Sequence, residues 1–152
     1  KGMAARFPVL EVRQRSRLAG GVRGIKLDVE DRVVSMDIVT PGAKLFVVSR
    51  KGFGKLTDID LYRRTRRGAK GVKTLRITDK TGPVAAAHLV IDAPEVMIIT
   101  DHGIIERLSM SEIPTKGRIT QGVWIMRDKG VQGMNVATIT SISTDTNALP
   151  KE

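Results

Sequence analysis

The chain repeats itself about every fifty residues, and this property limits the fold more than any other. Gly21-Val22-Arg23-Gly24-Ile25 returns as Gly71-Val72-Lys73-Thr74-Leu75 and again as Gly122-Val123-Trp124-Ile125-Met126, at intervals of 50 and 51 residues. A second landmark keeps the same phase, because Gly2, Gly52 and Gly103 are also 50 and 51 residues apart. Two glycine series in register mean one structural unit used several times. Such a unit is too small to bury both its faces alone and must stack on its neighbours.

Within a unit the pattern is that of strands. Arg32 to Val39 and Lys73 to Ile77 alternate partly or fully between apolar and polar residues, while Leu45 to Val48 and Val96 to Ile99 are continuous β-type runs. Pro41-Gly42, Lys51-Gly52, Thr81-Gly82, His102-Gly103 and Lys129-Gly130 supply the glycines that tight hairpins require. No window carries a sustained 3.6-residue period with capping signals, so helix is expected to be minor. The expectation is an all-β, propeller-like stack of four-stranded blades holding about three blades' worth of sequence. Residues 1–21 read as the second half of a blade, 22–71 and 72–122 as whole blades, 123–143 as the first half of another, and 144–152 as a frayed polar tail. A chain that starts and stops in mid-blade is expected to be a piece of a larger repeat protein. Its two half-units are expected either to pair within one chain or to swap between two copies, giving a six-blade dimer.

Charge is the second constraint. Lys and Arg number 26 against 16 Asp and Glu, a formal net charge of +10 on 152 residues. The fifty-residue interval locates much of it, in a loop just before each Gly-Val pair. The first loop carries Arg13, Arg15 and Arg17, the second Arg63, Arg64, Arg66, Arg67 and Lys70, and the third Lys116 and Arg118, with no acidic residue in any of them. Arg17, Arg67 and Arg118 fall at one repeat position, and Arg23 and Lys73 share another just beyond the loops. Equivalent loops of stacked blades lie along one rim, so these side chains are expected to form a basic band.

The composition narrows the partner. Aromatic residues make up 3% of the chain, too few for the stacking platforms on which single strands and sequence-specific RNA sites depend. Duplex phosphates need only Arg, Lys and backbone N–H groups, and a curved row of them favours a duplex that bends to follow it. Gly20, Gly68, Gly71 and Gly117 beside the arginines are expected to allow close approach of the backbone to phosphate. Without helices to enter the major groove, sequence-independent binding is expected. A competing reading is an interaction module whose basic rim docks acidic protein or RNA. The absence of cysteine removes disulfides, thiolate metal sites and a cysteine nucleophile, and fits a reducing compartment. No apolar run approaches the ~18 residues of a membrane span, and the first residues lack a signal-peptide core, so no membrane partner and no export are expected.

At these same residues the chain resembles a known family. The strings Gly21-Val22-Arg23-Gly24-Ile25-Lys26-Leu27, Lys51-Gly52-Phe53-Gly54-Lys55-Leu56-Thr57, Arg67-Gly68-Ala69-Lys70-Gly71-Val72 and Gly117-Arg118-Ile119-Thr120-Gln121-Gly122-Val123 look like the C-terminal domain of the DNA gyrase A subunit. The likeness runs from Lys1 to about Ile142 and matches the last half of that domain best. It implies a β-pinwheel, a propeller-like ring in which neighbouring blades exchange a strand and whose basic rim wraps duplex DNA. It also implies a heterotetramer that joins the rest of the A subunit to the gyrase B subunit, acting in the bacterial cytoplasm at the nucleoid. ATP and Mg would be used elsewhere in that enzyme, which introduces negative supercoils, and no cofactor is expected in this chain. The family's box, Gln-Arg-Arg-Gly-Gly-Lys-Gly, has here only the relative Thr65-Arg66-Arg67-Gly68-Ala69-Lys70-Gly71, which reads as a later-blade copy. The full box is therefore expected upstream of Lys1. The topoisomerase IV A subunit carries a similar domain and is the alternative.

No residue here reads as catalytic. Tyr62 is the one tyrosine, but its repeat equivalents are Val12 and Ile113, which marks an apolar strand site and places DNA cleavage in another domain. Trp124 replaces the basic Arg23 and Lys73, either as a ring flanking a DNA path or as ordinary packing. His102 occupies a turn where Lys1 and Lys51 are its equivalents, and His88 lies alone in a strand-like run without a second ligand at metal spacing. Asp58 and Asp60 lack a calcium-loop glycine or an acid/base partner, and no Walker-type Gly-Lys-Ser/Thr loop is present.

Overall fold

A computed structural model describes residues 1–91, 93–126 and 134–142. The elements described are β1 (Met3–Ala4), β2 (Lys44–Ser49), β3 (Phe53–Asp58), β4 (Val72–Lys73), β5 (Val84–Val90), β6 (Glu95–Thr100), β7 (Ile105–Ser109), β8 (Val123–Trp124) and β9 (Val136–Ile142), together with three single-turn 3-10 helices. The architecture is all-β, as expected. The two continuous apolar runs become β2 and β6, the central strands of their sheets. β2 points Phe46 and Val48 into one cluster with Val96, Ile98 and Val136, and Val47 into a second with Leu75 and Val84. A strand buried on both faces has no polar side to show, so it reads as an unbroken run.

The sheets do not respect the repeat boundaries. The order of the largest sheet is β5-β2-β3-β8, with Phe53 opposite Trp124 and Gly54 opposite Val123, so its edge strand comes from the following unit. β1 and β4 are joined in the same way across one unit, with Met3 opposite Lys73 and Ala4 opposite Val72. The third sheet, β7-β6-β9, packs on the second where β5 and β9 lie side by side.

These exchanges explain the glycines. A Cβ on Gly71 would lie 2.2 Å from the Ala4 carbonyl oxygen and one on Gly122 would lie 2.4 Å from that of Gly54, at φ values of +81° and +80°. The incoming chain crosses its neighbour's outer strand too closely for any side chain. Gly71 is thus required by the contact between successive units.

Three strand readings need correction. Arg32 to Val39 joins no sheet, leaving Met36 91% and Ile38 86% exposed. Its equivalents β5 and β9 pair with β2 and β6, which begin about forty residues before them. Among the described residues no strand pairs with it in that way. Of Lys73 to Ile77 only Lys73 is in a strand, because the chain turns inward to bury Thr74 and Leu75. Tyr62 follows a 3-10 turn, Ile59–Leu61, rather than lying on a strand. Its ring is buried and its hydroxyl is hydrogen-bonded to that of Thr74. Burial is the main cause that raises its pKa. The turn expected at Lys129-Gly130 lies outside the described residues.

The end segments do not pair with each other among the described residues: β1 joins β4, and β9 joins β6. A polar clasp links successive units, with His88 Nδ1 on β5 3.4 Å from Asp37 and its Nε2 3.2 Å from the Ser141 hydroxyl on β9.

Candidate nucleic-acid interface

The basic loops are built as a pair of copies. Residues 63–70 run beside the outer strand of the first unit, where Arg6 and Arg64 form a parallel bridge and the Thr65 amide donates to the Arg6 carbonyl at 2.7 Å. Residues 114–121 repeat this on β3, with a bridge between Leu56 and Thr115 and the Lys116 amide donating to the Leu56 carbonyl at 2.8 Å. Further along, the Lys26 amide donates to Ala69 O and the Arg76 amide to Thr120 O, again at equivalent positions. Both loops therefore lean on the outer strand of the preceding unit, along one edge of the stack.

Arg67 and Arg118 hold these loops in place. The Arg67 guanidinium donates to the carbonyls of Arg23 at 2.7 Å and Glu11 at 3.1 Å, and its backbone amide donates to the Glu11 carboxylate. Arg118 donates to the Lys73 carbonyl at 3.0 Å and lies 6.0 Å from the centre of the Tyr62 ring. Both are half-buried. In these two copies the shared repeat position is a staple between units, whereas its first copy, Arg17, is exposed. The surrounding cations differ from Arg67 and Arg118: Arg13, Arg15, Arg23, Arg63, Arg64, Arg66, Lys73 and Lys116 are, like Arg17, all exposed. Lys70 is exposed too, and its ammonium sits 2.7 Å from Asp28, whose pKa the hydrogen bond to Lys70 lowers.

Lys55 was not among the sequence candidates, yet it organises the third loop. Its side chain is fully buried, and its ammonium donates to the carbonyls of Gly117 at 2.5 Å and Arg118 at 2.6 Å and to the Thr120 hydroxyl at 3.2 Å. Burial, with Arg118 nearby, lowers its pKa to about 8. Charge-assisted bonds to three oxygens replace the water it has lost. The one sequence signal was a lone lysine inside an otherwise apolar and small run, Phe53-Gly54-Lys55-Leu56.

Trp124 lies on the edge strand β8 and is 53% exposed. One face of its indole is stacked on Phe53, with centroids 5.9 Å apart and planes 3° from parallel. His102 occupies an exposed turn. Asp58 lies 3.9 Å from Lys44 and Asp60 3.6 Å from Arg6, both as surface ion pairs. Among the described residues no three His, Asp or Glu side chains gather as a metal site, and no helix is long and apolar enough to cross a membrane.

Comparison with known proteins agrees with this architecture. The family model described as "DNA gyrase C-terminal domain, beta-propeller" matches residues 1–40, 43–90 and 94–129. The DNA gyrase A subunit of Thermotoga maritima is 44% identical over 123 residues, covering 80% of this chain and 15% of that protein. Its counterpart from Dehalogenimonas lykanthroporepellens is 40% identical over 145 residues, covering 91% of this chain and 18% of that protein. The chain thus spans less than a fifth of the length of these curated relatives. In three dimensions it superimposes on a DNA gyrase A C-terminal domain with a TM-score of 0.85 at 24% identity, over 94% of this chain and 48% of that one. The C-terminal domain of DNA topoisomerase IV gives a TM-score of 0.84 at 21% identity, over 93% and 44%. Those two likenesses establish the propeller-type fold, and the family match establishes kinship: the chain belongs to the DNA gyrase C-terminal domain family.

Proposed function

We propose that the chain binds duplex DNA without sequence preference along the edge carrying its basic loops. Within a longer gyrase A subunit, this edge forms part of the surface that wraps DNA. The observation that carries the reading is the equivalent seating of residues 63–70 and 114–121 on consecutive outer strands, which aligns exposed Arg63, Arg64, Arg66 and Lys116 in one direction. Arginine forks and lysines so aligned neutralise successive phosphates, and a curved row favours a bent duplex. Bending ~20–30 bp costs on the order of 1–6 kcal/mol, which several added phosphate contacts offset.

The larger role follows from kinship. Wrapping presents a DNA segment for strand passage, and negative supercoiling driven by ATP is the work of the whole enzyme, assembled from A and B subunits at the bacterial nucleoid. This chain's share is to hold the duplex, with ATP and Mg bound elsewhere.

Fluorescence anisotropy of a labelled 30-bp duplex tests the reading. A site using 6–10 phosphates loses ~10³–10⁵ in affinity between 50 and 200 mM salt. Changing Arg63, Arg64 and Arg66 together to Ala weakens binding on all sequences alike and lowers the salt slope by about 3. A shallow slope, or tighter binding to RNA or to an acidic peptide, assigns the basic edge to another partner.

A further inference from the structure

One feature of the basic edge has no counterpart in the other units. Where Arg23 and Lys73 stand in two repeats, the third places Trp124, the only tryptophan of the chain. Cross-strand pairing with Phe53 and the nearly parallel stack hold the indole in a fixed pose, while half of it stays in solvent. Phe53 itself is 5% exposed and gives the indole a rigid backing. A large aromatic ring held rigidly and left open is a ready stacking surface.

The surroundings are cationic. A cleft of about 350 Å³ opens beside the stack, lined among others by Arg50, Lys51, Phe53, Lys80 and Trp124, and among the described residues no acidic side chain lines it. The Lys80 ammonium lies 5.6 Å from the centre of the Phe53 ring. The volume is at the lower end of the ~300–1,000 Å³ of small-ligand clefts. An aromatic shelf beside three cations is complementary to a flat ring that carries an anionic group.

We propose that this cleft is a nucleotide-stacking site, in which Trp124 stacks a nucleobase and Arg50, Lys51 and Lys80 bind its phosphate. The source of that nucleotide is DNA, which rests on the DNA-binding reading above. Arg67 and Arg118 are bonded to the carbonyls of Arg23 and Lys73, so this repeat position belongs to the same edge as the basic loops. A duplex following that edge meets Trp124 as it bends, and bent duplexes unstack at flexible steps. One stacking residue at a kink also accords with a chain otherwise poor in aromatics.

The test uses the 152-residue chain, with the emission of its single tryptophan as one readout and the anisotropy of labelled DNA as another. Three probes are titrated: a fully paired 30-bp duplex, the same duplex with one internal unpaired adenine, and dAMP. The expected result is quenching of Trp124 by the bulged duplex, which binds about 5- to 100-fold tighter than the paired one. In Trp124→Arg, which installs the residue type of the other repeats, that ratio falls to about 1. Trp124→Phe retains part of it and guards against misfolding as the cause. Quenching by dAMP without quenching by either duplex assigns the site to a free nucleotide. Equal binding of the two duplexes with unchanged emission, and no response to dAMP, overturns the proposal and leaves the DNA-binding reading standing. Absence of duplex binding by anisotropy removes that reading instead, and the dAMP titration alone then decides whether the stacking site exists.

Discussion

A lysine ammonium sealed from water is held by what it can donate to, and Lys55 has two carbonyls and a hydroxyl. Its pKa of about 8, against 10.5 for the free side chain, is caused first by burial and then by Arg118. The unfolded chain therefore holds this proton more tightly than the folded one between about pH 8 and 10.5. Across that window stability rises with pH, and below it the full cost of burying the charge is present. Chemical denaturation at pH 7.5 and 9.5 should show an increase on the order of 1–2 kcal/mol from this residue, and Lys55→Met should flatten the difference. Arg67 in one loop and Arg118 in the next are poor reporters of phosphate contact. Their guanidinium groups are already bonded to the neighbouring unit, so truncating them disturbs the loop as well as the charge.

At the scale of elements, the units are joined by strands too short to hold by themselves. β4 and β8 have two residues each, and they pair where Gly71 and Gly122 let the chain pass within touching distance of the strand before. Gly71→Ala and Gly122→Ala combine a left-handed backbone with a backbone clash, and each should lower the unfolding free energy by more than about 2 kcal/mol. Gly117→Ala has open space around it and is the control, with a denaturation midpoint close to that of the unaltered chain. The two continuous apolar runs, at Leu45 to Val48 and Val96 to Ile99, were legible as strands because their apolar residues are contiguous. Arg32 to Val39 carries an equally clear alternation and forms no sheet. Alternation reports which faces a strand can present, whereas ladder hydrogen bonds need a second strand, and among the described residues none pairs with it.

At the scale of the whole molecule, the unpaired segment leaves Val33, Met36 and Ile38 exposed at one end of the stack. Apolar side chains along an open edge favour association. Sedimentation velocity over a wide concentration range should show self-association that Met36→Lys with Ile38→Lys suppresses, whereas a strictly monomeric chain with an intact fold excludes the swapped dimer. The basic edge has the opposite character, since a net charge of +10 repels a like surface and attracts an acidic one. The sequence by itself determined the unit, its all-β character and the loops where the excess charge collects. Periodicity and charge are properties of the order of residues, and they survive any arrangement of the strands. Only the tertiary structure decided which arginines face solvent and which staple one unit to the next, why Gly71 and Gly122 are glycines, and that Lys55 is sealed beneath the third loop. Each of those facts depends on residues 44 to 68 positions apart in the chain meeting in space, and such a meeting is written in the packing of neighbouring units rather than in any local pattern.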